Sequence, residues 1–144
     1  MLRIWSMCRG GRETKVSGVE YVTKLAQNEA VRLDPDRLGA LYSQMGEAGA
    51  EDVICRAVEE LAIRLAQCER HFHRSKWSDL RKCVRSLVAI ADQIGMNMLS
   101  KVAMDVTNSI DQADRVATAS TLARLLRISE RSLTAIWDLQ DMSV

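Results

Sequence analysis

From Leu33 onward, apolar residues recur in steps of three and four, the spacing that keeps side chains on one face of an α-helix. Leu38, Leu41, Tyr42 and Met45 share a face in a short segment opened by Asp34 as N-cap, with Pro35 at the first helical position. A small-residue turn is expected over 46–50. A second helix, 51–73, places Ile54, Ala57, Leu61, Leu65, Cys68 and Phe72 on one stripe and would extend about 34 Å. Ser75 is the expected cap of a third helix, whose stripe is Trp77, Leu80, Val84, Leu87, Ala91 and Ile94, with Gly95 near its end. A fourth turns Leu99, Val102, Val106 and Ile110 inward. Residues 108–114 form the expected turn to the last helix, which Asp114 caps. That helix buries Leu122, Leu125, Ser129 or Ile128, Leu133, Ile136 and Leu139.

Punctuation is sparse. Pro35 is the only proline, and between Gly49 and the end Gly95 is the only glycine, so long helices are expected in place of short strands. Four amphipathic helices joined by short turns bury one another's stripes most simply as an all-α, antiparallel four-helix bundle, with the short N-terminal helix laid across one end. A pair of helical hairpins that completes its core by dimerising is the alternative, so a monomer is expected and a homodimer stays open. Residues 1–30 read as an N-terminal arm and 31–144 as the bundle. Neither internal repeats nor low-complexity segments occur.

A chain of 144 residues suits one domain, and its 47% hydrophobic content is sufficient for a sizeable core. With a net charge of +1, the chain as a whole advertises neither nucleic-acid nor membrane binding. No apolar run approaches the ~18 residues that cross a bilayer. The start, "MLRIWSMCRGGRETKVSG", is basic, but Ser6 breaks its apolar run too early for a signal-peptide core. It reads as a disordered arm or as a start codon set too far upstream. Cys8, Cys55, Cys68 and Cys83 lack paired spacing and read as small buried hydrophobes in a cytoplasmic protein.

The segment "VRSLVAIADQIGM", Val84 to Met96, carries a more specific pattern. It resembles the signature of histidine phosphotransfer domains: Ala-His-Ser-Leu-Lys-Gly, a run of small residues, then Leu-Gly-Ala. Ile94 and Gly95 fall on the family's Leu-Gly, Leu87 on its leucine, Ser86 on its serine and Val84 on its alanine. "LDPDRLGAL" resembles the family's short opening helix and "KWSDLRKC" the approach to its active helix, so the resemblance covers 33–139.

The resemblance implies a four-helix bundle, yet Arg85 stands where the family has its phosphorylated histidine, Val88 where it has lysine and Ala89 where it has glycine. A neutral imidazole is a nucleophile near neutral pH, whereas guanidinium stays protonated and offers no lone pair. Phosphotransfer through this position is therefore excluded, and no catalytic residue is assigned. The only histidines, His71 and His73, lie at the end of the preceding helix in "CERHFHRSKW", where Trp77 follows and a relay role is not expected. Cys68 and His71 share a helical face but His73 points elsewhere, so no zinc site is expected. No cofactor motif is present.

What remains is a surface. Arg81, Arg85, Val88, Ala89 and Asp92 fall on one stripe away from the Leu80, Val84, Leu87 and Ala91 core face. From Arg64 to Arg85 seven Lys/Arg stand against two acids, Glu69 and Asp79. By itself this is a solvated basic face. The resemblance gives it a partner: a response-regulator receiver domain, whose phosphorylation pocket is a cluster of carboxylates, or a histidine kinase. A non-catalytic binding module of two-component signalling is the resulting expectation. An active phosphocarrier using another residue, and an unrelated interaction bundle touching phosphates through the same stripe, are the other classes. With aromatic residues at 4%, stacking on nucleic-acid bases is not expected.

Overall fold

Asp34 opens the first helix as its position demands. The computed structural model describes residues 28–142. Its Asp34 Oδ1 accepts from the backbone N–H groups of Asp36 at 3.0 Å and Arg37 at 3.2 Å, with Pro35 inside the first turn, where its missing N–H costs nothing. Four helices follow: α1 (Pro35–His73), α2 (Trp77–Gln93), α3 (Asn97–Asp111) and α4 (Arg115–Met142). Among the described residues there is no strand. The N-terminal arm expected over 1–30 lies outside the described residues except for its last three.

Each helix packs chiefly on its sequence neighbours, α1 on α2, α2 on α3 and α3 on α4. Leu61, Leu80, Leu87, Ile94, Met96, Leu99, Leu125, Ile128 and Ile136 are the large side chains fully withdrawn from solvent. Four of the polar residues buried among them, Ser109, Thr118, Ser129 and Ser132, donate to backbone carbonyls one turn earlier. Ser129 donates to Leu125 O at 2.6 Å, Ser132 to Ile128 O at 2.8 Å and Thr118 to Asp114 O at 2.7 Å. This back-bonding explains why α4 carries serines on its inward face without an unpaired donor. Ser129 and Ile128 are both buried.

The three interhelical turns share one device. Lys76 N donates to His71 O, Met96 N to Ala91 O and Asp114 N to Ser109 O, each a six-to-one bond closing the preceding helix. The residue before each donor has positive φ: Ser75 at 53°, Gly95 at 75° and Ala113 at 56°. Ser75 therefore terminates α1 and does not cap α2, whose N-cap is Lys76 without a side-chain bond. Asp114 caps α4 as expected, accepting from Ala117 N at 2.9 Å.

Three further expectations are corrected. The turn expected over 46–50 shrinks to Gly46 alone (φ 74°, ψ 173°), which interrupts α1 while Glu47 to Ala50 are already helical. Met45, at the interruption, is 50% exposed, and Leu139, near the end of α4, is 41% exposed. Both sit where the stripe runs past the elements available to cover it.

Ahead of α1, residues 28–34 form a strap without regular structure. Glu29 takes both Nε and Nη2 of Arg124, the latter at 2.7 Å, while Arg131 Nη1 donates to Asn28 Oδ1 at 2.9 Å and Glu29 O at 2.6 Å. Val31 and Leu33 pack on the core. The strap ends at the α2–α3 turn, where Asp34 N donates to Gly95 O at 2.9 Å and Asn97 Nδ2 to Asp34 Oδ2 at 3.1 Å.

Donation from Asn97 and from the Arg37 and Asp36 amides holds the Asp34 carboxyl below its ordinary value, and Arg124 does the same for Glu29. A depressed carboxylate stabilises the fold above its unfolded-state pKa and withdraws that stability as pH falls through the folded value. The urea midpoint should therefore hold near neutrality and fall below about pH 4. Asp34→Asn keeps a capping oxygen but has no charge to lose, so its midpoint should drop less between about pH 6 and about pH 3 than that of the wild type. Parallel drops in the two proteins would remove Asp34 from the acid response.

Candidate functional site

On α2, the residues pointing away from Leu80, Val84, Leu87 and Ala91 are those the sequence singles out. Arg85, near the middle of the helix, is exposed, as are Ala89 and Asp92, and Val88 is half-buried with its inner edge on the core. The helix is regular throughout, because its four- and three-residue steps leave the core stripe unbroken. These side chains therefore stand in one file on a rigid rod.

Arg81 behaves differently. It is half-buried and its guanidinium forks onto the Asp111 carboxylate at the end of α3, through Nε to Oδ1 and Nη2 to Oδ2, the latter at 2.9 Å. This geometry is the strong bidentate form. The bond from Arg81 is the main reason the Asp111 carboxyl sits below the ordinary carboxylate range, and the Arg85 charge adds to it. Arg85 itself makes no hydrogen bond or ion pair among the described residues. Arg64 is likewise occupied, by Glu60 of its own helix at 2.7 Å. The basic run of the sequence is thus weaker in space than on paper: Arg81 and Arg64 are spoken for, and Arg85 is the cation that α2 presents near its middle.

Sequence reasoning missed Asp111. It lies 30 residues from Arg81, and only the pairing of α2 with α3 brings them together; no local signal marks it. Nor does any local signal mark the contact of Cys83 with α1, where its Sγ donates to Arg64 O at 3.1 Å.

His71 and His73 stand at the far end of α1. The Phe72 ring meets the edges of His73 and Trp77, with centroids 6.0 and 5.8 Å away, and Arg115 lies 5.5 Å over Trp77. Trp77 is eight residues before Arg85, about 12 Å along the helix, so neither histidine shares the neighbourhood of Arg85. Among the described residues no three His, Cys, Asp or Glu side chains converge as a metal site would require. Of the methionines near the α2–α3 turn, Met96 is buried and Met98 half-buried, leaving Met104 on α3 exposed.

Among the described residues, two of the grooves in the surface lie away from α2, which lines neither of them. The larger, about 690 Å³, runs between the start of α1 and the end of α4, lined by Leu33, Leu38, Tyr42, Ile54, Ile136 and Leu139 among others. The smaller lies beside the strap against α4. Chemically, an exposed guanidinium with five N–H donors beside low-relief Val88 and Ala89 suits a carboxylate or phosphate. No described helix is long and apolar enough to cross a membrane.

Comparison with protein-family models, with curated proteins and with solved structures returns no match to this chain.

Proposed function

We propose that the chain is a non-catalytic docking module of histidine-phosphotransfer type: an antiparallel four-helix bundle, its short opening helix set off at Gly46, that engages the acidic phosphorylation pocket of a receiver domain through α2 without relaying phosphate. One observation carries the reading. The position matching the family's phosphorylated histidine is an arginine standing exposed near the middle of α2, unpaired among the described residues, with small or half-buried Ala89 and Val88 beside it. The order of elements supports it as well: a turn closed by Gly95 follows the candidate helix one residue after Ile94, as the resemblance requires.

On this reading Arg85 supplies the charge that speeds and orients docking, and Arg81, fixed by Asp111, supplies a rigid flank. Calorimetric titration of a panel of receiver domains, unphosphorylated and with their aspartate capped by beryllofluoride, tests the proposal. At least one receiver should bind, and Arg85→Glu should weaken it by about tenfold or more, or about 1.4 kcal/mol. Arg85→Lys should recover part of the loss, since the charge returns without the fork. Binding that ignores the Arg85→Glu change, or its absence across the panel, would remove the reading. Incubation with a labelled phospho-receiver should leave the chain unlabelled.

A further inference from the structure

We propose that the groove between the start of α1 and the end of α4 is a docking site for the chain's own segment 1–12, which fills it with Leu2, Ile4 and Trp5. The proposal stands apart from the α2 docking reading and does not need it.

At about 690 Å³ the groove has the size of a ligand cleft, and its lining is mainly apolar. Leu33 comes from the strap, Leu38 and Tyr42 from the opening turns of α1, Ile54 from beyond Gly46, and Ile136 and Leu139 from α4. Its floor is finished core, with Ile54 and Ile136 buried, while Leu139 at its edge stays 41% exposed. The margin is predominantly acidic. Burial, and then the charges of Glu51 and Glu47, push the Tyr42 hydroxyl up, which puts both carboxylates beside the groove. Asp138 and Asp141 bracket Leu139 and Gln140 along α4. None of these four acids enters an ion pair among the described residues, and Arg32 is the cation in the lining. The groove therefore suits a segment that brings apolar side chains together with positive charge.

The chain has such a segment ahead of the described residues. Residues 1–12 carry Leu2, Ile4, Trp5 and Met7 together with Arg3, Arg9 and Arg12, and no acid. The point of entry is also right. Asn28 is held at 2.9 Å by Arg131, one turn before Ala135, and Ala135 lines both the larger groove and the smaller one that Asn28 borders. The stretch 8–27, about 20 residues, can extend to roughly 66 Å, so reach sets no limit. Tethering raises the local concentration to roughly the millimolar range, which favours this segment over a second copy or a free partner. Apolar burial supplies the affinity, and the arginines facing carboxylates set the orientation.

The test uses the full chain with 5-fluorotryptophan at its three tryptophans, the Trp5 resonance being assigned by Trp5→Phe. In the native chain that resonance should stand away from its position in urea and be less broadened by a soluble gadolinium chelate. Leu139→Lys should return it to the urea position, and Glu51→Lys combined with Asp138→Lys should do the same. Trp77, packed on Phe72 at the other end of α2, reports that each variant is folded. Should Leu139→Lys not fold, the charge-reversal variant decides alone. A Trp5 resonance already at its urea position in the native chain would overturn the proposal. So would a shift that survives in the folded variants, which would seat the segment elsewhere, or one that vanishes on dilution, which would seat it on a second copy.

Discussion

Leu87→Ala is expected to remove about 2–5 kcal/mol of unfolding free energy, the range for a leucine cut back inside a packed core. Leu87 is fully buried on α2 and belongs to the set of large side chains that fill the interior. Its neighbours are held by helices on two sides, α1 and α3 both packing on α2, so the site has little room to collapse around the lost carbons. Against a total of about 5–15 kcal/mol for a domain, this is a large fraction. Arg85→Ala, two residues away on the opposite side of the same helix, should leave the urea midpoint within error. Chemical denaturation of the two variants reads the rotation of α2 directly. Equal losses, or a larger loss at Arg85, would mean that the helix presents a different face to the core.

Gly95→Ala is expected to cost about 2 kcal/mol or more, of which ~1–2 is the backbone penalty for an L side chain at positive φ. The rest is contact. A Cβ at Gly95 would sit 3.1 Å from both Cβ and O of Asp34 and 3.3 Å from Cβ of Arg37, at the point where the strap is clasped to the α2–α3 turn. Asp34 cannot retreat without giving up its bonds to Gly95 O and Asn97. The chain supplies its own control in Ala113, which closes α3 at φ 56° with the same six-to-one bond. Ala113→Gly should therefore gain up to about 1 kcal/mol. Thermal melts of both variants check the pair: a Gly95→Ala loss no larger than the Ala113→Gly gain would show that the clasp has slack.

The contrast between those two turns also explains what could be read from the sequence and what could not. Helix content and the core stripes were legible because period and burial are the same fact on a helix; Leu61, Leu80, Leu87, Leu99 and Leu125 all fall where their spacing puts them. The turn over 108–114 was also legible, but of the three positive-φ residues only Gly95 is of the type that favours that conformation. Serine and alanine close the others at positive φ, against their intrinsic preference, and Ser75 consequently reads as an N-cap when it ends the previous helix. Exposure of Arg85, Ala89 and Asp92 followed from the same periodicity. The capture of Arg81 by Asp111 and the contact of Cys83 Sγ with Arg64 O did not, because each depends on how far one helix slides along another. That offset is set by side-chain packing over the whole interface.

The strap has a consequence for how the chain finds its fold. The helices touch mainly their sequence neighbours across turns of residues 74–76, 94–96 and 112–114, so most of the interior assembles from local contacts, which form fast. The strap's bonds instead join residues 61 to 103 apart. Closing such distances is costly while the chain is open and nearly free once the helices have met. Strap docking is thus the late event of folding and the early event of unfolding. Amide hydrogen exchange over residues 28–34 would accordingly run ahead of exchange from α2 and α3.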